Sequence, residues 1–229
     1  MQQSQPLSII AILAGTNTPS NSATLLEYFL KGMRENSEIQ STTVPLKDLN
    51  ILPFNLNCYG TNCPIDDLTK IQEQIKHADA LVIATPIWNF SVPGHLKNLI
   101  DRMGSFALDT THSVGILNGK PAYLIITAGM PSGAWPFLKK AMSHVTLALQ
   151  YFGASVLGMH FEGSCTLGRG QFGLVVDKRP SSLEKAMQEG RQFAVDVERF
   201  KDTGVLPLKY RVMRKMVRWM QLVKRRLGL

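Results

Sequence analysis

A chain of 229 residues with 45% hydrophobic and 18% charged side chains has an ordinary globular composition, long enough for one substantial core plus an appendage. Its three cysteines do not suggest a disulfide framework and point instead to a reducing compartment. The net charge of +8 is not shared by the whole chain. Eight Lys and Arg lie between Lys209 and Arg226, no acidic residue follows Asp202, and the remainder is balanced, which removes the main support for a nucleic-acid-binding domain.

The opening MQQSQPLSII lacks the basic start and apolar run of a secretory signal, and no stretch of about 20 apolar residues offers a membrane span. A cytoplasmic protein is expected. Residues 7–15, LSIIAILAG, read as a buried strand entering a glycine turn. Helical spacing runs from Ser22 to Glu35 through Leu25, Leu26, Phe29, Leu30 and Met33. STTVPL at 41–46 reads as a second strand, and Asp66–His77 as a helix with Leu68, Ile71 and Ile75 on one face. ALVIAT at 80–85 is a third strand, followed by a helix over Pro93–Met103. AYLIITAG at 122–129 is a fourth strand, Ala134–Phe152 one long helix, ASVLGMHFEG at 154–163 a fifth strand, and Ser181–Phe200 a further helix.

Strands alternate with helices, and three strands are continuous apolar runs, as in a parallel sheet covered on both faces. Five strands favour a doubly wound α/β fold of the flavodoxin type over residues 1–204, with a basic amphipathic helical tail at 205–229. Ligands of such folds bind at the carboxyl ends of the strands where strand order reverses, which directs attention to the turns after Ala14, Thr85 and Thr127.

The first turn, GTNTPSNSATLL, crowds Thr16, Thr18, Ser20, Asn21, Ser22 and Thr24 around a helix start, with Ser22 or Asn21 available as the cap. Free amides, hydroxyls and the positive end of the helix dipole suit a phosphate, although capping and loop solvation would explain the same residues equally well. It is neither a GxGxxG nor a GxxxxGK[ST] loop and carries no Lys or Arg. The second turn, TPIWNFSVPGHLKNLIDRM, places Trp88 and Phe90 where a short polar connection is usual. The third, TAGMPSGAW, has two glycines that permit close backbone approach.

The second turn resembles the segment T-P-x-Y-N-x-S-x-P-x-x-L-K-N-x-I-D of the NAD(P)H-dependent FMN reductase and quinone/azo-reductase families. The match covers Thr85, Pro86, Asn89, Ser91, Pro93, Leu96, Lys97, Asn98, Ile100 and Asp101, with Trp88 at the usual Tyr position. The resemblance spans about residues 8–200 and is weakest at the first turn, where many relatives carry an Arg. It implies a flavodoxin-like fold and bound FMN, with Pro86, Ile87, Trp88, Asn89 and Phe90 lining the flavin ring. Thr127, Ala128, Gly129, Met130 and Gly133 would lie along its pyrimidine end, and the phosphate would sit on the first turn at Thr16, Thr18, Asn21, Ser22 and Thr24. It further implies hydride transfer from NADH or NADPH to a small-molecule acceptor (quinone, azo compound, nitroaromatic or flavin), and a homodimer whose partner completes the pocket. The cofactor performs the hydride chemistry in such enzymes, so no catalytic side chain is assigned. A non-enzymatic flavodoxin-like electron carrier is the alternative, though flavodoxins are acidic and lack this turn. An interaction protein that has lost its cofactor is the third class.

His95 is expected on the outer face of its helix, with Lys97, Asn98 and Asp101 tying that helix to the sheet. Cys58 and Cys63 are too few for an iron–sulfur cluster, and no metal is expected. In the tail, Val212, Met213, Met216, Val217, Trp219, Met220, Val223 and Leu227 fall on one arc, opposite Arg211, Arg214, Lys215, Arg218, Arg225 and Arg226. That arc suits a partner subunit or an anionic membrane surface. The subunit is favoured because the resembling families build their pockets at a subunit interface.

Overall fold

The computed structural model describes residues 5–60, 63, 65–168 and 171–228. The first four residues and Leu229, at the outer bounds of the expected domain and tail, lie outside the described residues, as do Thr61, Asn62 and Pro64 of the Cys58–Cys63 loop. Five strands, β1 (Leu7–Leu13), β2 (Ile39–Pro45), β3 (Ala80–Pro86), β4 (Pro121–Thr127) and β5 (Ser155–Glu162), form one sheet in the order β2-β1-β3-β4-β5. All four pairings are parallel. This is the doubly wound flavodoxin-type order, and the reversal falls between β1 and β3.

Continuous apolar strands demand cover on both faces, and helices supply it. Helix α1 (Asn21–Asn36) and the long α6 (Pro180–Thr203) cover one face, burying Leu25, Phe29, Met33, Phe193 and Val197 against Ile9, Ala11, Val82 and Ile125. Helices α2 (Leu68–His77), α3 (Gly94–Ala107), α4 (Trp135–Ala141) and α5 (Ser143–Tyr151) cover the other, around Ile10, Ile12, Ile83, Leu124 and Ile126. α1 and α6 approach closely because glycines stand at the crossing: a Cβ on Gly190 would run into the Phe29 carbonyl, and one on Gly32 into that of Met187.

The helix expected over Ala134–Phe152 is two helices, broken at Met142. Ala141 O, which a continuous ladder would pair with Val145 N, is bonded instead by His144 Nδ1 at 2.9 Å, and Val145 N turns to Met142 O. The His144 ring has captured a carbonyl the helix needed.

The tail forms α7 (Leu208–Leu227) and packs along the free edge of β5. There the strand bulges at Leu157, and Tyr210 Oη donates to the Leu157 carbonyl at 2.6 Å. Covering an edge strand satisfies backbone groups that would otherwise invite another chain. No helix of the described residues is long and apolar enough to cross a membrane.

Candidate flavin site

The carboxyl ends of β1, β3 and β4 open into one cleft. Its walls bring together Thr16, Asn21, Ser22, Pro86, Ile87, Trp88, Thr127, Ala128 and Gly129 of the residues expected from the sequence, with Gly15, Asn17 and Ser20 beside them. Three separate turns converge because parallel strands end at one edge, and because Ile87 N donates to Thr127 O across β3 and β4 at 2.8 Å. Thr18, Thr24, Asn89, Phe90, Met130 and Gly133 do not line this cleft.

At the β1 end, the α1 cap is Ser20, not Ser22 or Asn21: Ser20 Oγ accepts from Ala23 N at 3.3 Å. The helix therefore begins at Asn21, one residue earlier than the apolar spacing alone indicates. Thr24 Oγ1 donates to Ser20 O within the first helical turn. Asn21 is spent on the chain itself. Its Nδ2 donates to Gly173 O at 2.8 Å and its Oδ1 accepts from Val175 N at 2.9 Å, anchoring the loop after β5. Ser22, only 2% exposed, keeps its hydroxyl 3.0 Å from that of Ser20. The amides of Gly15, Thr16, Asn17 and Thr18 hold no hydrogen bond among the described residues. The loop carries no cation of its own, but Lys47, from the turn after β2, donates its Nζ to Thr18 Oγ1 at 3.0 Å.

At the β3 end, Trp88 and Ser91 exchange backbone hydrogen bonds at 2.8 and 3.0 Å, closing a two-residue turn over Asn89 and Phe90. Both central residues are left-handed, with φ of 49° and 64°. Asn tolerates this conformation; Phe does so at a cost of about 1–2 kcal/mol. The turn projects Phe90 to 58% exposure, where its ring meets that of Phe137 at 6.2 Å. His95 lies inward, not on the outer face of α3. Its Nε2 donates to Ala14 O at 2.8 Å and its ring stands edge-on to Trp88. It therefore joins the β1 and β3 turns. Asn98 bonds the backbone of Ile51, Leu52 and Phe54, tying α3 to the preceding loop rather than to the sheet, while Lys97 pairs with Asp101 along the helix surface.

A fourth segment escaped the sequence reading. Cys165, Thr166 and Phe172, from the loop after β5, complete the cleft wall. The glycine-rich SCTLGRGQFG, following a strand as the other three turns do, was the available signal. Arg179 clamps this loop, donating to Glu162 Oε1 at 2.6 Å, Gly163 O at 2.8 Å and Ser164 O at 2.7 Å. Burial, reinforced by Glu162, pushes the Cys165 thiol up to about 11, so it stays protonated and is no nucleophile.

Beneath the clamp, His160 is fully buried with Glu189 at 2.6 Å. Burial works against its charge, but the nearby Glu162 carboxylate, 3.8 Å from Nε2, and the hydrogen-bonded Glu189 outweigh it and raise its pKa. A group raised above its unfolded value, about 6.5, stabilises fully below that value and loses the contribution as pH rises through the folded pKa. Unfolding stability of the wild-type protein should therefore fall from pH 6 upward by more than that of His160→Gln. Parallel pH dependences in chemical denaturation would show that the fold leaves the His160 pKa unshifted, and a rise relative to His160→Gln would show that the fold holds it neutral.

An apolar turn, a hydroxyl-lined helix start and a glycine loop thus meet at the switch point of an open parallel sheet of the flavodoxin type. The family model for NADPH-dependent FMN reductase matches residues 7–161, and the chain belongs to that family. It is 27% identical over 124 residues to an NADH-dependent FMN reductase of Pseudomonas putida, covering 54% of this chain and 66% of that one, just under two thirds of that relative's length. It is 28% identical to an FMN-dependent NADH:quinone oxidoreductase of Nitratidesulfovibrio vulgaris, covering 55% and 72%. The fold is shared with an NAD(P)H:quinone oxidoreductase from Methanothermobacter marburgensis, with a TM-score of 0.64 and 20% identity over 82% of this chain and 97% of that one. The matched family and these relatives are named as reductases and oxidoreductases, not as electron carriers.

The cleft fits the family's cofactor. A Cβ on Gly15 would stand 2.6 Å from Ser22 Oγ and 2.9 Å from Ser20 Oγ, so its absence leaves a cradle between two hydroxyls and unpaired amides. These are the donors a phosphate monoester takes. The apolar surfaces of Pro86, Ile87 and Trp88 line the same cleft, with Pro86 Cδ 3.9 Å from the Cβ position of Gly15, so a flat ring would lie directly beside the cradle.

Proposed function

We propose that this protein is an NAD(P)H-dependent, FMN-containing reductase that passes electrons to a quinone, azo compound, nitroaromatic or flavin. The observation that carries the proposal is the pairing, in one cleft, of the Gly15–Ser20–Ser22 cradle with the apolar Pro86–Ile87–Trp88 turn. Bound FMN supplies reversible acceptance and release of hydride. The chain's own residues position it: the cradle holds the phosphate, the apolar turn and the Thr127–Gly129 backbone flank the ring, and Phe172 closes the side toward solvent. The Gly129 and Asn89 amides, which bond to nothing among the described residues, are the donors available to a ring edge. Both substrates would use the same cleft in turn. Anaerobic NADH or NADPH should bleach the flavin absorbance of the purified protein, and a quinone or azo dye should restore it. Failure of both nicotinamides to bleach a fully loaded protein would overturn the proposal.

Lys47 would supply the positive charge that the first turn lacks. An exposed cation is worth little in water, so Lys47→Ala should raise the Kd for FMN by about twofold to fivefold at low salt. Riboflavin, which has no phosphate, should bind both proteins equally. An equal loss for both ligands would place Lys47 away from the phosphate.

A homodimer fits the exposed apolar side chains on the α3, α4 and α5 side of the sheet, where Phe90 meets Phe137 (63% exposed) and Leu147 (61%) stands on α5. Light scattering should give twice the chain mass, and Leu147→Glu should halve it.

A further inference from the structure

We infer that α7 seats the protein on an anionic phospholipid bilayer. The helix divides its circumference into three. Tyr210, Met213, Val217 and Gln221 face the chain's own domain, with Gln221 only 5% exposed and its Nε2 donating to Tyr151 O at 2.7 Å. Tyr210 bonds the β5 bulge on the same side. The apolar arc read from the sequence is thus split, since only Met213 and Val217 of it turn inward.

The second sector is Val212, Met216, Trp219, Met220 and Leu227, which are 58%, 55%, 65%, 45% and 65% exposed. At 3.6 residues per turn these five occupy an arc of about 100°. The third sector, directly beside it, holds Arg211, Lys215, Arg218 and Arg226. Of the eight basic residues on α7, only Arg225 has an acidic partner among the described residues, Asp109 at 3.5 Å. The helix carries no acidic residue.

A helix already fastened by one face has no need of a bare Trp and Met stripe for its own fold. A stripe of this kind with an unpaired basic flank is complementary to a surface that is apolar inside and negatively charged at its rim. That is an anionic bilayer, on which the helix would lie flat with Trp219 at the headgroup boundary. A second copy of the chain would bring another eight positive charges, seven of them without an acidic partner among the described residues, to the same place. The inference does not rest on the flavin reading, because α7 contributes nothing to the cleft.

The full-length protein should sediment with phosphatidylglycerol-containing vesicles at low salt, be released by high salt, and ignore pure phosphatidylcholine. Trp219→Glu should weaken vesicle binding at least tenfold, and so should the triple change Arg211→Gln, Lys215→Gln, Arg218→Gln. Bound flavin and molecular mass should be unchanged in both. Four outcomes would overturn the inference: indifference of the full-length protein to anionic vesicles, equal binding to neutral ones, a change of oligomeric mass on Trp219→Glu, or DNA binding that competes with vesicles and ignores Trp219→Glu. The first two leave flavin content untouched and so do not bear on the proposed activity.

Discussion

Asp66→Ala should lower unfolding stability by about 3–5 kcal/mol, the range for leaving one member of a buried ion pair alone. Arg102 and Asp66 are each 2% exposed in their side chains, with Arg102 Nη1 2.7 Å from Asp66 Oδ2 and 2.8 Å from the Leu52 carbonyl. Asp66 also accepts from Leu52 N at 2.9 Å and Leu68 N at 3.0 Å, so it fastens the loop before α2 to both α2 and α3. Removing it strands a guanidinium in the interior and frees two backbone donors. For a chain of this length the loss corresponds to roughly 6–20 °C in Tm. The double change Asp66→Ala, Arg102→Met should recover much of it, because a buried pair replaced as a whole is close to neutral. A loss below about 1 kcal/mol from Asp66→Ala would show that water reaches the pair.

Gly15→Val should abolish tight FMN binding, raising Kd by about a hundredfold or more, equivalent to about 2.7 kcal/mol. Gly15 has an ordinary negative-φ backbone, so a side chain there is not forbidden by conformation. Its effect is local: the new Cβ collides with Ser20 Oγ and Ser22 Oγ. The hydroxyls can escape only by rotating out of the cradle, and in leaving they take away the phosphate donors while the valine methyls fill the space. Circular dichroism of the apoprotein should change little and its Tm should fall by only about 2–4 °C, the cost of losing the Ser20 cap, which separates loss of the site from loss of the fold. FMN fluorescence quenching measures the affinity. Affinity within threefold of wild type would place the phosphate elsewhere.

Much of this molecule is set by the sequence alone. Apolar strands spaced by amphipathic helices can be satisfied only by a sheet covered on both faces, so the doubly wound fold and the functional edge follow from local pattern. The turn after β3 was legible for the same reason: an apolar, aromatic connection where a polar one is expected is visible without any neighbour. What the sequence could not decide are relations between distant segments. That Asn21 is consumed by Gly173 and Val175, that His95 reaches Ala14, and that Lys47 arrives beside Thr18 depend on where separate loops land once the strands are in register. The break at Met142 turned on whether the His144 ring would take the Ala141 carbonyl, a competition that apolar spacing does not record. In α7, periodicity identified an amphipathic helix but not its orientation. Both its Met213–Val217 side and its Met216–Trp219 side are apolar, and only the free edge and bulge of β5 determined which of them is buried.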